Sequence, residues 1–251
     1  MTYVLIALFA FVAALLFQAR GLIAVILSHS STLSGDYDGA LRKVRWISLG
    51  IPNVMTLHKE GLLLDSAGRL SEAERRYRQA LAMAVGSKYR VERLHACLGN
   101  VLMDRGRYRE AEQCFHRAIE AGDVTGSSQA SLAELRLVQG VEAEKALEYA
   151  SQSIELLKRR PGKPVAGSLF SYARQAWALG LLGRGEEARE ALAQSLSVLE
   201  PSALGSSEQH WLTGMALVAM QQPEEARKHF QLGHDADPRG KYGRRCGKHL
   251  A

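Results

Sequence analysis

The chain has 251 residues, 47% of them hydrophobic and 23% charged, which excludes wholesale disorder and leaves room for one elongated domain plus a short extra segment. A formal charge of +6 suits anionic partners or an anionic membrane surface but is equally that of a solvated basic surface. Three cysteines, Cys97, Cys114 and Cys246, show no CxxC or Cys/His spacing, which argues against a disulfide framework or a zinc site.

Residues 3–17, YVLIALFAFVAALLF, carry no charge, no Gly and no Pro. At 1.5 Å per residue the run spans roughly 22 Å, short of the ~30 Å hydrocarbon core. Met1, Thr2, Gln18 and Ala19 extend it, and Arg20 can reach the headgroups. No Lys or Arg precedes the run, so a retained transmembrane anchor over 1–28 is expected in place of a cleaved signal peptide. The N-terminal side bears only its α-amino group, while Arg20, Arg42, Lys43 and Arg45 follow. The positive-inside rule then expects the N-terminus outside and the rest in the cytoplasm.

From residue 35 on, a Gly is followed five residues later by Ala and four further on by an aromatic or aliphatic residue. The clearest copies are Gly68…Ala73…Tyr77…Ala80 and Gly106…Ala111…Phe115…Ala118; weaker ones are Gly35…Ala40…Val44 and Gly183…Ala188…Leu192. In the last copy Ala226 and Phe230 survive with Gln221 in place of the Gly, and Gly140…Ala146…Ala150 carries one extra residue. The marker alanines are spaced by 33, 38, 35, 42 and 38 residues, a period that means a helical solenoid.

The pattern resembles the tetratricopeptide repeat, over about residues 21–240 and most strongly over 54–87 and 92–125. Gly61 and Gly99 stand at the first-helix glycine position, and His210, Gly214, Leu217, Ala226, Phe230 and Pro238 follow the pattern in order. Small residues at Gly61, Ala73, Gly99, Ala111, Ala188, Gly214 and Ala226 allow close helix approach, and Tyr77, Phe115 and Phe230 fill the space beside them. The expected architecture is all-α: the transmembrane helix, then about five to six TPR-like helix pairs in units of about 21–53, 54–87, 92–125, 127–160, 169–202 and 207–240. The first unit lacks a separate first helix, and Leu22–Ser31 can supply it, making anchor and solenoid one rigid body. An extended basic loop is expected at 158–164.

Nothing in the chain has the form of a catalytic site. There is no HExxH, GxSxG, GxxxxGK[ST] or Rossmann glycine pattern, and the eight histidines are scattered. The expectation is a binding scaffold that is not an enzyme and has no cofactor or metal. The resemblance implies a concave groove lined by the first helix of each repeat, here by Met55, His58, Leu62, Asp65, Arg93, Asn100, Met103, Asp104, Phe170, Trp177, Glu208, Trp211 and Met215. Of the Lys, Arg and Asn with which some members grip a C-terminal carboxylate, only Arg93 and Asn100 have counterparts, so that mode is not expected. Trp177, Trp211 and Met215 suggest an apolar helix or extended peptide as ligand; the alternative is that the two tryptophans pack between helices.

The segment from Pro238, PRGKYGRRCGKHLA, reads as a basic C-terminal tail over 241–251, frayed by Gly240, Gly243 and Gly247, with anionic lipid as a possible contact. No recognition-helix pattern calls for nucleic acid. The functional expectation is a membrane-tethered adaptor that binds protein or peptide partners. Its rivals are a structural subunit assembled through the transmembrane helix, with Ala7, Ala10, Ala13 and Ala14 as its packing face, and a periplasmic scaffold of opposite topology.

Overall fold

The computed structural model describes residues 2–48, 51–87, 89–159, 169–197 and 202–251. Among these are thirteen helices: α1 (Thr2–Leu33), α2 (Tyr37–Ser48), α3 (Val54–Ser66), α4 (Leu70–Ala84), α5 (Val91–Asp104), α6 (Tyr108–Glu120), α7 (Ser127–Gln139), α8 (Ala143–Lys158), α9 (Phe170–Leu181), α10 (Gly185–Ser195), α11 (Ala203–Ala219), α12 (Pro223–Ala236) and α13 (Lys241–Lys248). Consecutive helices pair from α1 with α2 to α11 with α12, and α3, α5, α7, α9 and α11 stack beside one another as the inner wall of a solenoid. The core falls in two clusters, one from Ala24 to Leu135 and one from Leu137 to Cys246.

The sequence markers act at two points in each pair. The first is the turn. Gly68, Gly106, Gly140 and Gly183 all take a left-handed conformation that ends the first helix, and Gln221 takes the same one at φ 59°. At each of these turns the following N–H reaches back five residues: Arg69 to Leu64, Arg107 to Leu102, Val141 to Arg136, Arg184 to Leu179 and Gln222 to Leu217, at 2.8–3.2 Å. The extra residue in the Gly140 copy is absorbed by a second left-handed residue, Glu142 at φ 50°.

The second point is the helix crossing. A Cβ added to Gly61 would lie 2.5 Å from the Tyr77 ring, and one added to Gly99 would lie 2.5 Å from that of Phe115; at Gly214 it would overlap Phe230. Tyr77 and Phe115 are fully buried, as are Ala73, Ala111 and Ala188. The first helix of the second pair is capped by a motif the sequence reading passed over: the Asn53 side chain accepts from the Thr56 N–H while the Asn53 N–H donates to Thr56 Oγ1, both at 2.9 Å.

Two expectations are corrected at the ends of the chain. The expected boundary at residue 28 falls inside one helix, while the expected use of Leu22–Ser31 as the first helix of the first unit is found. α1 runs unbroken to Leu33, and Ala24, Ser28 and Ser31 are buried where its last third meets α2, so this part is the missing first helix of the first pair. Among the described residues no helix is long and apolar enough to cross a membrane. The side chains of Ala7, Ala10, Ala13 and Ala14, and the basic loop from residue 160 to 164, lie outside what is described.

The C-terminal tail is not frayed. It folds as α13 and returns to the inner wall, because its glycines are sites of close approach. Cβ atoms on Gly240 and Gly243 would overlap the Asp237 carboxylate and carbonyl oxygen, and one on Gly247 would meet the His234 ring at 3.2 Å. Asp237 itself accepts from the Tyr37 hydroxyl, which ties the end of α12 to the start of α2.

Candidate functional site: the concave groove

The inner wall encloses two connected hollows. The larger, about 530 Å³, opens between α5, α7, α9 and the ends of their partners. Its lip carries Arg90 and Arg93, its sides the hydroxyls of Thr125, Ser127, Ser131, Ser153 and Ser171, and its apolar wall Phe170 and Leu157. Asn100, Arg174 and Glu208 lie at its deep end and are shared with a second hollow of about 150 Å³, which continues past Leu62 and Met103 to Lys241 and Tyr242 of α13.

The floor is charged. Arg174, buried, donates from Nε and Nη2 to Glu134 Oε2 at 2.9 and 2.6 Å and from Nη2 to Glu208 Oε1 at 3.2 Å. From α13, Arg245 pairs with Asp104 and, at 3.4 Å, with Glu134; Lys241 Nζ lies 2.8 Å from Asp104 and 3.3 Å from Asp65. Burial alone would raise the Glu134 carboxyl, but the charges of Arg174 and Arg245 hold it below the usual range. For Asp65 and Glu208 burial wins: both carboxyls are raised, with Lys241 and Arg174 respectively offsetting only part of the effect. Lys241 is raised despite burial, by Asp104 and Asp65.

The expected groove residues divide into three groups. Arg93, exposed, and Phe170, buried at its rim, face the large hollow; Asn100 stands where the two meet, and Leu62 and Met103 line the smaller one. Met215 is half-buried in the C-terminal core and borders neither hollow. His58, Trp177 and Trp211 are corrected to interior residues. The two tryptophans, each 4% exposed, pack edge to face at 5.9 Å, and Arg245 lies 4.5 Å over the Trp211 ring. They fill the space between successive inner helices instead of presenting a surface to a ligand.

His58 Nδ1 is 2.6 Å from the Tyr89 hydroxyl, and its Nε2 is 3.7 Å from Cys97 Sγ. This Cys–His couple is held neutral. Burial pushes the thiol up to about 11, with Asp65 adding to the rise, while burial and then Arg93 lower the imidazole to about 4. A thiolate nucleophile therefore does not form there at neutral pH. Among the described residues no group of three or more His, Cys, Asp or Glu is placed to hold a metal ion.

Sequence reasoning missed Arg90, Leu157 and the hydroxyl row of the large hollow and, on the floor, Glu134, Arg174, Lys241, Tyr242 and Arg245. Lys241 and Arg245 are one helical turn apart, and Asp65 and Asp104 occupy expected groove positions, so the complementary charges were in view but not their meeting.

Residues 92–121 match the family model of the tetratricopeptide repeat. Solved structures of similar fold include a tetratricopeptide repeat protein from Parabacteroides merdae, with a TM-score of 0.62 and 18% identity over 92% of this chain and 83% of that one. Another is pilF of Pseudomonas aeruginosa, at 0.57 and 16% over 92% and 98%. A third is NprR in complex with its cognate peptide NprX, at 0.68 and 15% over 94% and 72%. At these identities the likeness is one of fold. No curated protein matches the sequence.

Proposed function

We propose that the chain is a scaffold of tetratricopeptide-type repeats, not an enzyme, that holds a peptide or protein segment in its concave groove; the family match over 92–121 and the likeness of fold to a tetratricopeptide repeat protein support this. The observation that carries this reading is the large hollow: an open site with two arginines at its lip, a row of hydroxyls and an apolar wall at Phe170. The hydroxyls suit the main chain of an extended segment, the arginines an acidic side chain and Phe170 an apolar one. NprR, of similar fold, is solved in complex with its cognate peptide NprX, which supports a peptide as the ligand.

The test is selection of a displayed peptide library on the full chain, followed by titration of the selected peptide against native protein and Arg93→Glu. Binding weakened at least about tenfold by the charge reversal is expected, the loss of one charge-assisted contact. Unchanged affinity would remove the hollow from the binding site.

A second reading, that α1 tethers the scaffold to a membrane, is supported by eight large apolar side chains from Leu5 to Leu16 that stand 44–77% exposed. Such a patch is costly in water, and lipid would remove the cost. The cations following α1's apolar run favour an outside N-terminus with the repeats in the cytoplasm. A C-terminal reporter that fluoresces only in the cytoplasm checks this; a dark reporter would indicate the periplasmic arrangement. If partner capture depends on α1 and ignores Arg93→Glu, the protein is instead a subunit assembled through that helix.

A further inference from the structure

α13 is held in two different ways on its two sides. Toward α11 and α12 the contacts are apolar and aromatic. Cys246 is fully buried against Gly233, where an added Cβ would lie 2.6 Å from its sulfur. The Tyr242 ring lies 5.6 Å from Trp211, and His249 stacks on Phe230 at 4.4 Å. Toward α3, α5 and α7 the contacts are ionic or polar: Lys241 to Asp65 and Asp104, Arg245 to Asp104 and Glu134, and Arg244 Nη2 to the Ala67 carbonyl at 2.8 Å.

These two kinds of contact respond differently to exchange. An apolar root is not replaced by solvent. A buried ion pair gains little net free energy over its hydrated partners, so another cation of the same geometry can take its place. Three successive inner helices each present one carboxylate to α13: Asp65 from α3, Asp104 from α5 and Glu134 from α7. The cations that meet them, Lys241 and Arg245, are four residues apart on one face of a helix. Together with Glu208, the floor sets four carboxylates against Arg174, Lys241 and Arg245. Burial raises the carboxyls of Asp65 and Glu208, and the cations beside them, Lys241 and Arg174, offset only part of that rise.

We propose that the ridge formed by Asp65, Asp104 and Glu134 is a docking site for a basic helical segment of a protein partner, and that α13 is its resident occupant. A partner with two cations one turn apart replaces Lys241 and Arg245, and the groove opens on the side of α3 to α7 while α13 keeps its root on α11 and α12. This ridge is acidic where the lip at Arg90 and Arg93 is basic, so it selects a different ligand and stands or falls separately from the large hollow.

The probe is a fluorescent synthetic peptide of residues 237–251, titrated against the full chain. The proteins are native, Lys241→Ala/Arg245→Ala, and Gly243→Ala; the last changes no charge but drives a methyl into the Asp237 carbonyl oxygen. Both variants are expected to bind the peptide at least about tenfold more tightly than native protein. Adding Asp104→Asn to the double variant should remove the gain, as should replacing the peptide's own Lys241 and Arg245 by Ala. Equal affinity for native and variants, or a gain that survives Asp104→Asn, would overturn the proposal. A native dimer that forms with rising concentration and is lost in the double variant would overturn it as well, by assigning the ridge to a second copy of the chain.

Discussion

The repeats and the C-terminal helix are both built around glycines, but the two sets do different work. Gly61, Gly99 and Gly214 let an aromatic ring from the paired helix settle on the backbone, always sixteen residues further on, at Tyr77, Phe115 and Phe230. Gly240 and Gly243 fold the tail tightly against Asp237 so that α13 can turn back across the groove. The first arrangement is apolar and local, and it repeats. The second ends in charge, spans the molecule and occurs once. A solenoid held only by neighbour contacts transmits little between its ends; here Asp237 with Tyr37, and Lys241 with Asp65, join residues 200 and 176 positions apart. The lesson is that the repeats determine the shape, while the clasp determines which part of the inner wall is open.

Breaking the repeat side should have the largest effect. Phe115 is fully buried over Gly99, and Phe115→Ala is expected to cost about 3–5 kcal/mol in denaturant unfolding, through lost burial and the cavity left behind. A loss near zero would mean that the helix pair closes without its aromatic.

Acid sharpens the comparison. His58, in the repeat half, has an imidazole lowered to about 4 by burial and then by the charge of Arg93. The unfolded chain takes up that proton near pH 6.5 and the folded one does not, so stability present above 6.5 is lost as pH falls toward 4. The His58 contribution is about 2 kcal/mol between pH 7 and pH 5. His95, His210, His229 and His249 are lowered by burial as well and act in the same direction. Asp65 and Glu208, on the floor beneath α13, are raised and act oppositely, gaining stability as they protonate. Urea titrations of native protein and His58→Gln at both pH values should show a smaller loss in the variant; an equal loss would place the acid sensitivity elsewhere.

What the sequence made legible follows from the same contrast. A contact that recurs at a fixed interval leaves a period, and Gly61–Tyr77, Gly99–Phe115 and Gly214–Phe230 are readable for that reason. Gln221 shows that even a missing marker is tolerated, since it holds φ 59° where the five other marker turns, at Gly35, Gly68, Gly106, Gly140 and Gly183, use Gly. The clasp has no period. Lys241 and Arg245 looked like tail charges, and their glycines like breaks in a helix, because composition says nothing of Asp104, 141 positions before Arg245. Trp177 and Trp211 sat in groove register but pack on each other, since an edge-to-face pair between adjacent inner helices buries more surface than either ring would against solvent.

The central claim is that α13 closes part of the groove through Asp104, and backbone hydrogen exchange of the native chain tests it most directly. Amides of 241–248 should exchange slowly in native protein and faster in Asp104→Asn, with α5 and α6 unchanged. Exchange of those amides at the rate of a free peptide in native protein would contradict the account.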